Sequence, residues 1–457
     1  MIQSLKSEVR EGVRTIRGVR FARAARFEES VLIDNLEQCE LDPAPVAPQN
    51  PGTIETLLNT PPQPMSEDCL FLNIFTPEGA STGDHYPVLV WVHGGAYLNG
   101  SGATPWYDGS NLARHGAVVV TINYRLGALG FLGDKNWGIG DQINALKWVR
   151  SHIGHLGGDS NNVTVFGESA GGSGVLSLMA APEASALIHR VIAMSPSIGQ
   201  LRSREAAERM SQDFMAELGE DPGAATLEAI LKAQLNVASK PGNGFTAFSP
   251  TNGGSHLPAN ILDAVAKSEV PLMIGTTKDE NRLFNAFDPV AVNVDREGAI
   301  ARIAATFKDR AAEVYASYTA HHPDYTPPQV LSAIESDGSF RVPARRLANQ
   351  RSLNNKSTFV YWFAVETTSF GGALGSCHAA DIPFTFDNLR QPGVSFFLGE
   401  IENAEAVAGW FSQKILTFAR GNEPWMPYRH DDKVIMKVDA DPSVLVAHES
   451  ELLALWD

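Results

Sequence analysis

The chain has 457 residues, 44% hydrophobic and 19% charged, enough for a large buried core and too apolar for a disordered polymer. Acidic residues outnumber basic ones by 52 to 36, a formal charge of −16, which argues against nucleic acid or an anionic membrane as partner, because both are met through basic patches. The opening residues lack the apolar core of a signal peptide, no run approaches the ~18 apolar residues of a membrane span, and three cysteines (Cys39, Cys69 and Cys377) are too few for a disulfide framework, so a reduced cytoplasmic protein is expected.

In chain order, the Pro-rich stretches Asp42–Gly52 and Thr60–Pro64 read as surface excursions. "PVLVWVHGG" (Pro87–Gly95) and "GAVVVTINYR" (Gly116–Arg125) are short apolar runs ending in polar or Gly-rich turns, the pattern of buried parallel strands. "GDQINALKWVRSHI" (Gly140–Ile153) places Ile143, Leu146, Val149 and Ile153 at helical spacing. Strands are predicted again at Asn162–Phe166, His189–Ser195, Val270–Thr277 and Ser357–Glu366. Between them, segments near 200–258 and 297–346 read as helical insertions over the carboxyl edge of a sheet; "RSREAAERMSQDFMAELG" is an amphipathic helix in the first. The alternation predicts an α/β fold, a doubly wound and mostly parallel sheet, in one domain spanning 1–457.

The stretch "TVFGESAGGSG" (Thr164–Gly174) carries chemistry. A β-branched strand runs into Gly167-Glu168-Ser169-Ala170-Gly171 and then into a small-residue helix, which is the G-x-S-x-G nucleophile elbow in its strand–turn–helix setting. Such a turn strains the serine backbone, exposes Oγ at the sheet edge and sets a helix N-terminus behind any developing negative charge. "VHGGAYLNG" (Val92–Gly100) follows a buried strand, and its small residues suit an oxyanion loop. Cys377 beside His378 is a weaker nucleophile candidate, since sequence neighbours point apart. His152, His155 and Asp159 match no metal-ligand spacing and read as a solvated helix end.

Together, "EDCLFLN" (Glu67–Asn73), "VWVHGGAY" (Val90–Tyr97), "YDGSNLA" (Tyr107–Ala113), "NYRLGALGFL" (Asn123–Leu132), "GGDSNNVTVFGESAGG" (Gly157–Gly172), "PLMIGTTKDE" (Pro271–Glu280) and "CHAADIPFTF" (Cys377–Phe386) resemble the type-B carboxylesterases of the α/β-hydrolase superfamily, the family of bacterial para-nitrobenzyl esterases and cholinesterases. The resemblance implies Ser169 as nucleophile, Glu280 as triad acid, His378 as base, and the N–H groups of Gly95, Ala96 and Ala170 as oxyanion donors, with Asp279 left as a turn or surface group. The order Ser, Glu, His agrees with the superfamily. Of the histidines after Glu280 (His321, His322, His378, His430 and His448), only His378 sits in a Gly-rich loop soon after a strong strand; the others read as surface groups. The resemblance further implies ion pairs Arg26–Glu67 and Arg125–Asp159, and Ser195 as support for the triad acid. Where the family has cysteine the chain has Ala47, so Cys69 lacks its disulfide partner, and Asn281 replaces a glycine, a substitution that a left-handed turn tolerates.

The implied function is hydrolysis of small-molecule carboxylic esters through an acyl-enzyme, with no metal or organic cofactor, by a monomer or small homo-oligomer. The same triad also serves amide, carbamate and thioester cleavage. A non-catalytic binding member of the superfamily is the remaining alternative, and such chains usually lack a triad residue.

Overall fold

A computed structural model describes residues 5–52, 63–240 and 243–457. Among them twelve strands form one sheet: β1 (Glu8–Arg10), β2 (Val13–Arg23), β3 (Val31–Gln38), β4 (Phe71–Pro77), β5 (Tyr86–Val92), β6 (Val118–Ile122), β7 (Gly158–Glu168), β8 (Arg190–Met194), β9 (Leu272–Thr277), β10 (Thr358–Phe363), β11 (Ile435–Val438) and β12 (Ser443–Leu445). Their order is β1-β2-β4-β6-β5-β7-β8-β9-β10-β11-β12, with β3 paired to β2 off this path. From β6 to β11 every neighbouring pair is parallel. The pairs of β4 with β6 and of β11 with β12 are antiparallel, as is all pairing among β1 to β4.

The central strands are mostly apolar where they pair, because both sheet faces are covered. In β5, Val88, Val90 and Val92 join one core while Leu89 and Trp91 join the other. In β8 the split is Val191 and Ala193 against Ile192 and Met194, the period-2 alternation of a pleated strand. The helices α1 (Trp137–His152) and α2 (Ala170–Ala180) lie on the first face, and α9 (Ala404–Ala419) on the second. Before α9 the chain adds α3 (Arg204–Leu218), α4 (Leu227–Ala238), α5 (Arg296–Phe307), α6 (Ala311–His321), α7 (Pro327–Ser336) and α8 (Val342–Leu353). The predicted amphipathic helix is α3; Ser203 caps its start by accepting from Ala206 N–H at 3.2 Å, and left-handed Gly219 ends it. A third core cluster gathers α5, α6 and α7 around Ile303, Val314 and Leu331.

Two sequence expectations change here. Arg125 pairs with Asp141 rather than Asp159: Nη2 meets Oδ1 and Nε meets Oδ2, both at 2.8 Å, with both side chains buried. Asp159 instead accepts the N–H of Asn161 at its own turn. Asp141 also accepts the Arg125 backbone N–H, and Arg125 Nη1 reaches Glu28 O at 2.6 Å, so the pair ties β6, α1 and the N-terminal segment together. Asp141→Ala leaves a buried guanidinium unpaired and is expected to cost about 3–5 kcal/mol in a denaturant titration, whereas Asp159→Ala is expected to cost less than ~1 kcal/mol; equal losses would refute the assignment. The expected Arg26–Glu67 pair is present, with Nε to Oε2 at 2.8 Å.

The second change concerns Asp42–Gly52. This segment is no surface excursion, since Ala44, Val46 and Ala47 are buried and Gln49 clamps Gly100, accepting its N–H at 2.7 Å and donating to its carbonyl at 3.0 Å. In the second Pro-rich stretch, residues 60–62 lie outside the described residues. Cys39, Cys69 and Cys377 are all free thiols.

Candidate active site

Ser169 stands between the last residue of β7 and the first of α2, with φ 58° and ψ −120°. An L-residue pays of order 1–3 kcal/mol for such a conformation, and the surroundings must hold it there. Its N–H donates to Met194 O at 2.9 Å, and its carbonyl accepts from Ser173 at 3.0 Å and from Ser197 at 3.2 Å. Gly171 is obligatory for packing, because a Cβ there would run into the carbonyl of Val92 at the end of β5.

The loop after β5 turns at Gly95 (φ 105°) and Ala96 (φ 55°). Behind it, His93 stacks on Tyr124 with centroids 4.5 Å apart, and Tyr124 donates to His93 O at 2.8 Å. Burial pushes the His93 imidazole down to about 4, so it stays neutral. Among the described residues none accepts a hydrogen bond from the amides of Gly95, Ala96 or Ala170. Gly95, Ala96 and Ser169 border the same cavity, of about 1020 Å³.

Glu280 follows β9 and is fully buried. Its Oε1 accepts from Ser195 Oγ at 2.5 Å and from Thr277 N–H at 2.8 Å, and its Oε2 lies 2.5 Å from His378 Nδ1. Ser195 thus contacts Glu280, the residue that the resemblance sets it beside. Asn281 needs no left-handed backbone, for it opens a short helix, Asn281–Asn285. Asp279 is neither a surface group nor a partner of the imidazole. It is buried, pairs with Arg282 at 3.0 Å, and accepts the N–H of Ser376 at 3.0 Å, bracing the loop that carries His378.

The other face of the imidazole differs from expectation. His378 Nε2 lies 3.0 Å from Glu168 Oε1, and among the described residues Ser169 Oγ has no hydrogen-bond partner. Glu168 occupies the free position of G-x-S-x-G, so the motif itself gave no reason to single it out. Burial raises its carboxyl to about 8, against the pull of His378. Burial also disfavours the imidazolium, but Glu168 and Glu280 outweigh it and lift His378 to about 9. Asp381, held by Tyr361 Oη at 2.8 Å, is raised to about 7 by burial and by Glu280. The ring of His378 is flanked by Phe284 at 5.0 Å and Phe340 at 4.8 Å.

Other expected residues stand elsewhere. Cys377 is buried, and burial pushes its thiol far up, the opposite of an activated nucleophile. His321 and His430 are exposed as expected, whereas His322 and His448 are half-buried, and with His321 they face Glu449. His152 Nε2 lies 3.3 Å from Asp34.

A parallel-centred sheet with a strained serine at a strand-to-helix turn defines the α/β-hydrolase fold. The family model of the "Carboxylesterase family" matches residues 3–456, and the chain belongs to that family and is a carboxylic ester hydrolase. It is 33% identical over 419 residues to phenmedipham hydrolase of Pseudarthrobacter oxydans, covering 86% of this chain and 84% of that one. To para-nitrobenzyl esterase of Bacillus subtilis it is 33% identical over 436 residues, covering 89% and 86%. The solved structure of Geobacillus stearothermophilus carboxylesterase EST55 at pH 6.2 superposes with a TM-score of 0.87 at 32% identity, covering 99% of this chain and 98% of that one.

Proposed function

We propose that this carboxylic ester hydrolase works through Ser169, His378 and Glu280. The observation that carries the reading is the 2.5 Å contact of Glu280 with His378 Nδ1 at the wall of the cavity into which the strained Ser169 opens. Glu280 fixes the tautomer with Nδ1 protonated and Nε2 free to accept. While protonated, the imidazole is drawn to Glu168, 3.0 Å away, whose own carboxyl is ionised only above about 8. Once it loses its Nε2 proton that attraction ends, and the Ser169 hydroxyl becomes the available donor. Oγ attacks the ester carbonyl as His378 takes its proton, and the amides of Gly95, Ala96 and Ala170 receive the oxyanion, each such donor being worth about 3–4 kcal/mol of barrier. His378 returns the proton to the leaving alcohol, then activates the water that frees the acid and regenerates Ser169.

Four aromatic side chains on the cavity wall, Trp106, Tyr107, Phe284 and Phe340, support an aryl-bearing substrate. The name phenmedipham hydrolase favours a second reading at the same triad, carbamate cleavage. The test is stopped-flow release of 4-nitrophenol from 4-nitrophenyl acetate and from a matched 4-nitrophenyl carbamate. An acyl-enzyme mechanism gives a burst near one equivalent with the ester, followed by slower turnover. With ester in excess over enzyme, linear release without a burst, together with no acyl adduct on Ser169 in the acid-quenched protein, would argue against a covalent intermediate. A faster steady state with the carbamate would favour the second reading. The free thiols support a reducing, cytoplasmic setting. Among the described residues no helix is long and apolar enough to cross a membrane.

The acid limb of kcat/KM is expected above the ordinary histidine value of ~6.5, because His378 is held at about 9 and only its neutral form accepts the serine proton. Activity therefore rises as pH climbs through that value. Glu168→Gln removes one of the two flanking charges and is expected to lower the limb by about one unit or more. A limb that stays in place in the variant would show that Glu168 does not act on the imidazole.

A further inference from the structure

The C-terminal residues pack against a turn that borders the cavity. After β12 the chain turns through left-handed Ala447 and Glu449 into a short helix, Ser450–Ala454, and Leu452 and Trp456 join the third core cluster. The Trp456 indole stands edge-on to Phe307 at 4.7 Å and donates Nε1 to Tyr318 Oη at 3.0 Å. Tyr318 donates to Asp337 Oδ2 at 2.5 Å, Asp337 Oδ1 lies 2.8 Å from Arg341 Nε, and Arg341 Nη1 closes the ring on Glu449. The ring encloses Asp337–Arg341, a single π-helical turn between α7 and α8, a type of distortion found often at functional sites.

The same turn borders the cavity through Gly338, Ser339 and Phe340. The Phe340 ring packs 4.8 Å from the His378 ring and lies nearly parallel to Phe284, at 7° and 6.3 Å. A Cβ on Gly338 would run into the six-membered ring of the Trp456 indole, so there is no slack between tail and turn. A displacement of the indole is therefore passed to Phe340.

We infer that Trp456 is a positioning residue for ester hydrolysis: bearing on Gly338, it fixes Phe340 and so sets the size of the substrate group accepted beside His378. The inference rests on this cavity being the substrate site, and every readout is taken relative to wild type, so that a wild type without Ser169-dependent hydrolysis would fail that reading and not this one.

The experiment compares kcat and KM on 4-nitrophenyl acetate with those on a larger acyl ester, 4-nitrophenyl octanoate, and a larger alcohol ester, 2-naphthyl acetate, alongside thermal melting. Trp456→Ala is expected to keep kcat on 4-nitrophenyl acetate within about threefold and to lower the large-to-small ratio of kcat/KM by about tenfold for at least one large ester, through KM. Gly338→Ala, which drives the turn toward the cavity, is expected to lower the same ratio by about thirtyfold. In the double variant the methyl occupies the space vacated by the indole, so its ratio is expected to be no worse than that of Trp456→Ala alone. Trp456→Phe lacks the outer indole carbons that bear on Gly338 and is expected to move the ratio the same way as Trp456→Ala. Losses that multiply in the double variant, losses equal across all three esters, or ratios unchanged in every variant would overturn the inference. The Gly338→Ala and Trp456→Phe arms decide it even where Trp456→Ala does not fold.

Discussion

Ser169→Ala is expected to lower kcat on a simple ester by at least ~10⁴-fold while the protein melts like wild type. The fold is spared because Oγ has no hydrogen-bond partner among the described residues, and alanine inherits the same backbone with the same bonds to Met194, Ser173 and Ser197. The activity is lost because the proposed nucleophile is gone and His378 is left without the hydroxyl it is to deprotonate. What remains is binding and polarisation of the carbonyl by the amides of Gly95, Ala96 and Ala170, which in triad enzymes is worth ~10³–10⁴ over water. Initial rates under saturating ester, with purified protein checked for contaminating wild type, measure the loss.

Glu280→Gln is the second large effect, expected at about 10⁴-fold in kcat. The carboxylate accepts three hydrogen bonds, from Ser195 Oγ, Thr277 N–H and His378 Nδ1. An amide offers one acceptor oxygen and one donor nitrogen, so at least one of the three faces a donor, and the imidazole loses the tautomer with a free Nε2. Asp279→Asn bears on the same loop from the side, through Ser376 and Arg282. Its amide oxygen can still accept from Ser376, so the expected cost is about tenfold in kcat, roughly 1.4 kcal/mol of barrier, with some loss of stability from the underpaired Arg282. Turnover of both variants on one short-chain ester separates the roles. A crippled Asp279→Asn beside a competent Glu280→Gln would reverse them.

The elbow was legible because its three requirements, strand, strained turn and helix, fall within a dozen consecutive residues. The central strands were legible because burial on both faces makes them short, mostly apolar runs, broken only by small polar residues such as Thr121 and Thr164. The N-terminal strands were not. In β2, arginines recur every third residue at Arg14, Arg17, Arg20 and Arg23, which hides a period of two, and the register shift between Ile16 and Val19 resets the alternation midway. Glu280 and His378 meet across 98 residues, a distance that no local pattern bridges, so only the resemblance joined them. The same resemblance misassigned Arg125, whose carboxylate partner Asp141 lies 16 residues on, near the start of the following helix. Proline in Asp42–Gly52 suggested a surface loop, yet the alanines and Val46 between the prolines are buried, which a composition reading does not see.

The proposed mechanism turns on a covalent intermediate at Ser169. It is tested most directly by inactivating the protein with a fluorophosphonate or other organophosphate and mapping the adduct by peptide mass spectrometry, with Ser169→Ala treated in parallel. One stoichiometric adduct is expected, on Ser169, appearing in step with the loss of esterase activity and missing from the variant. An adduct on any other residue that tracks the loss of activity, or inactivation with Ser169 unmodified, would contradict it.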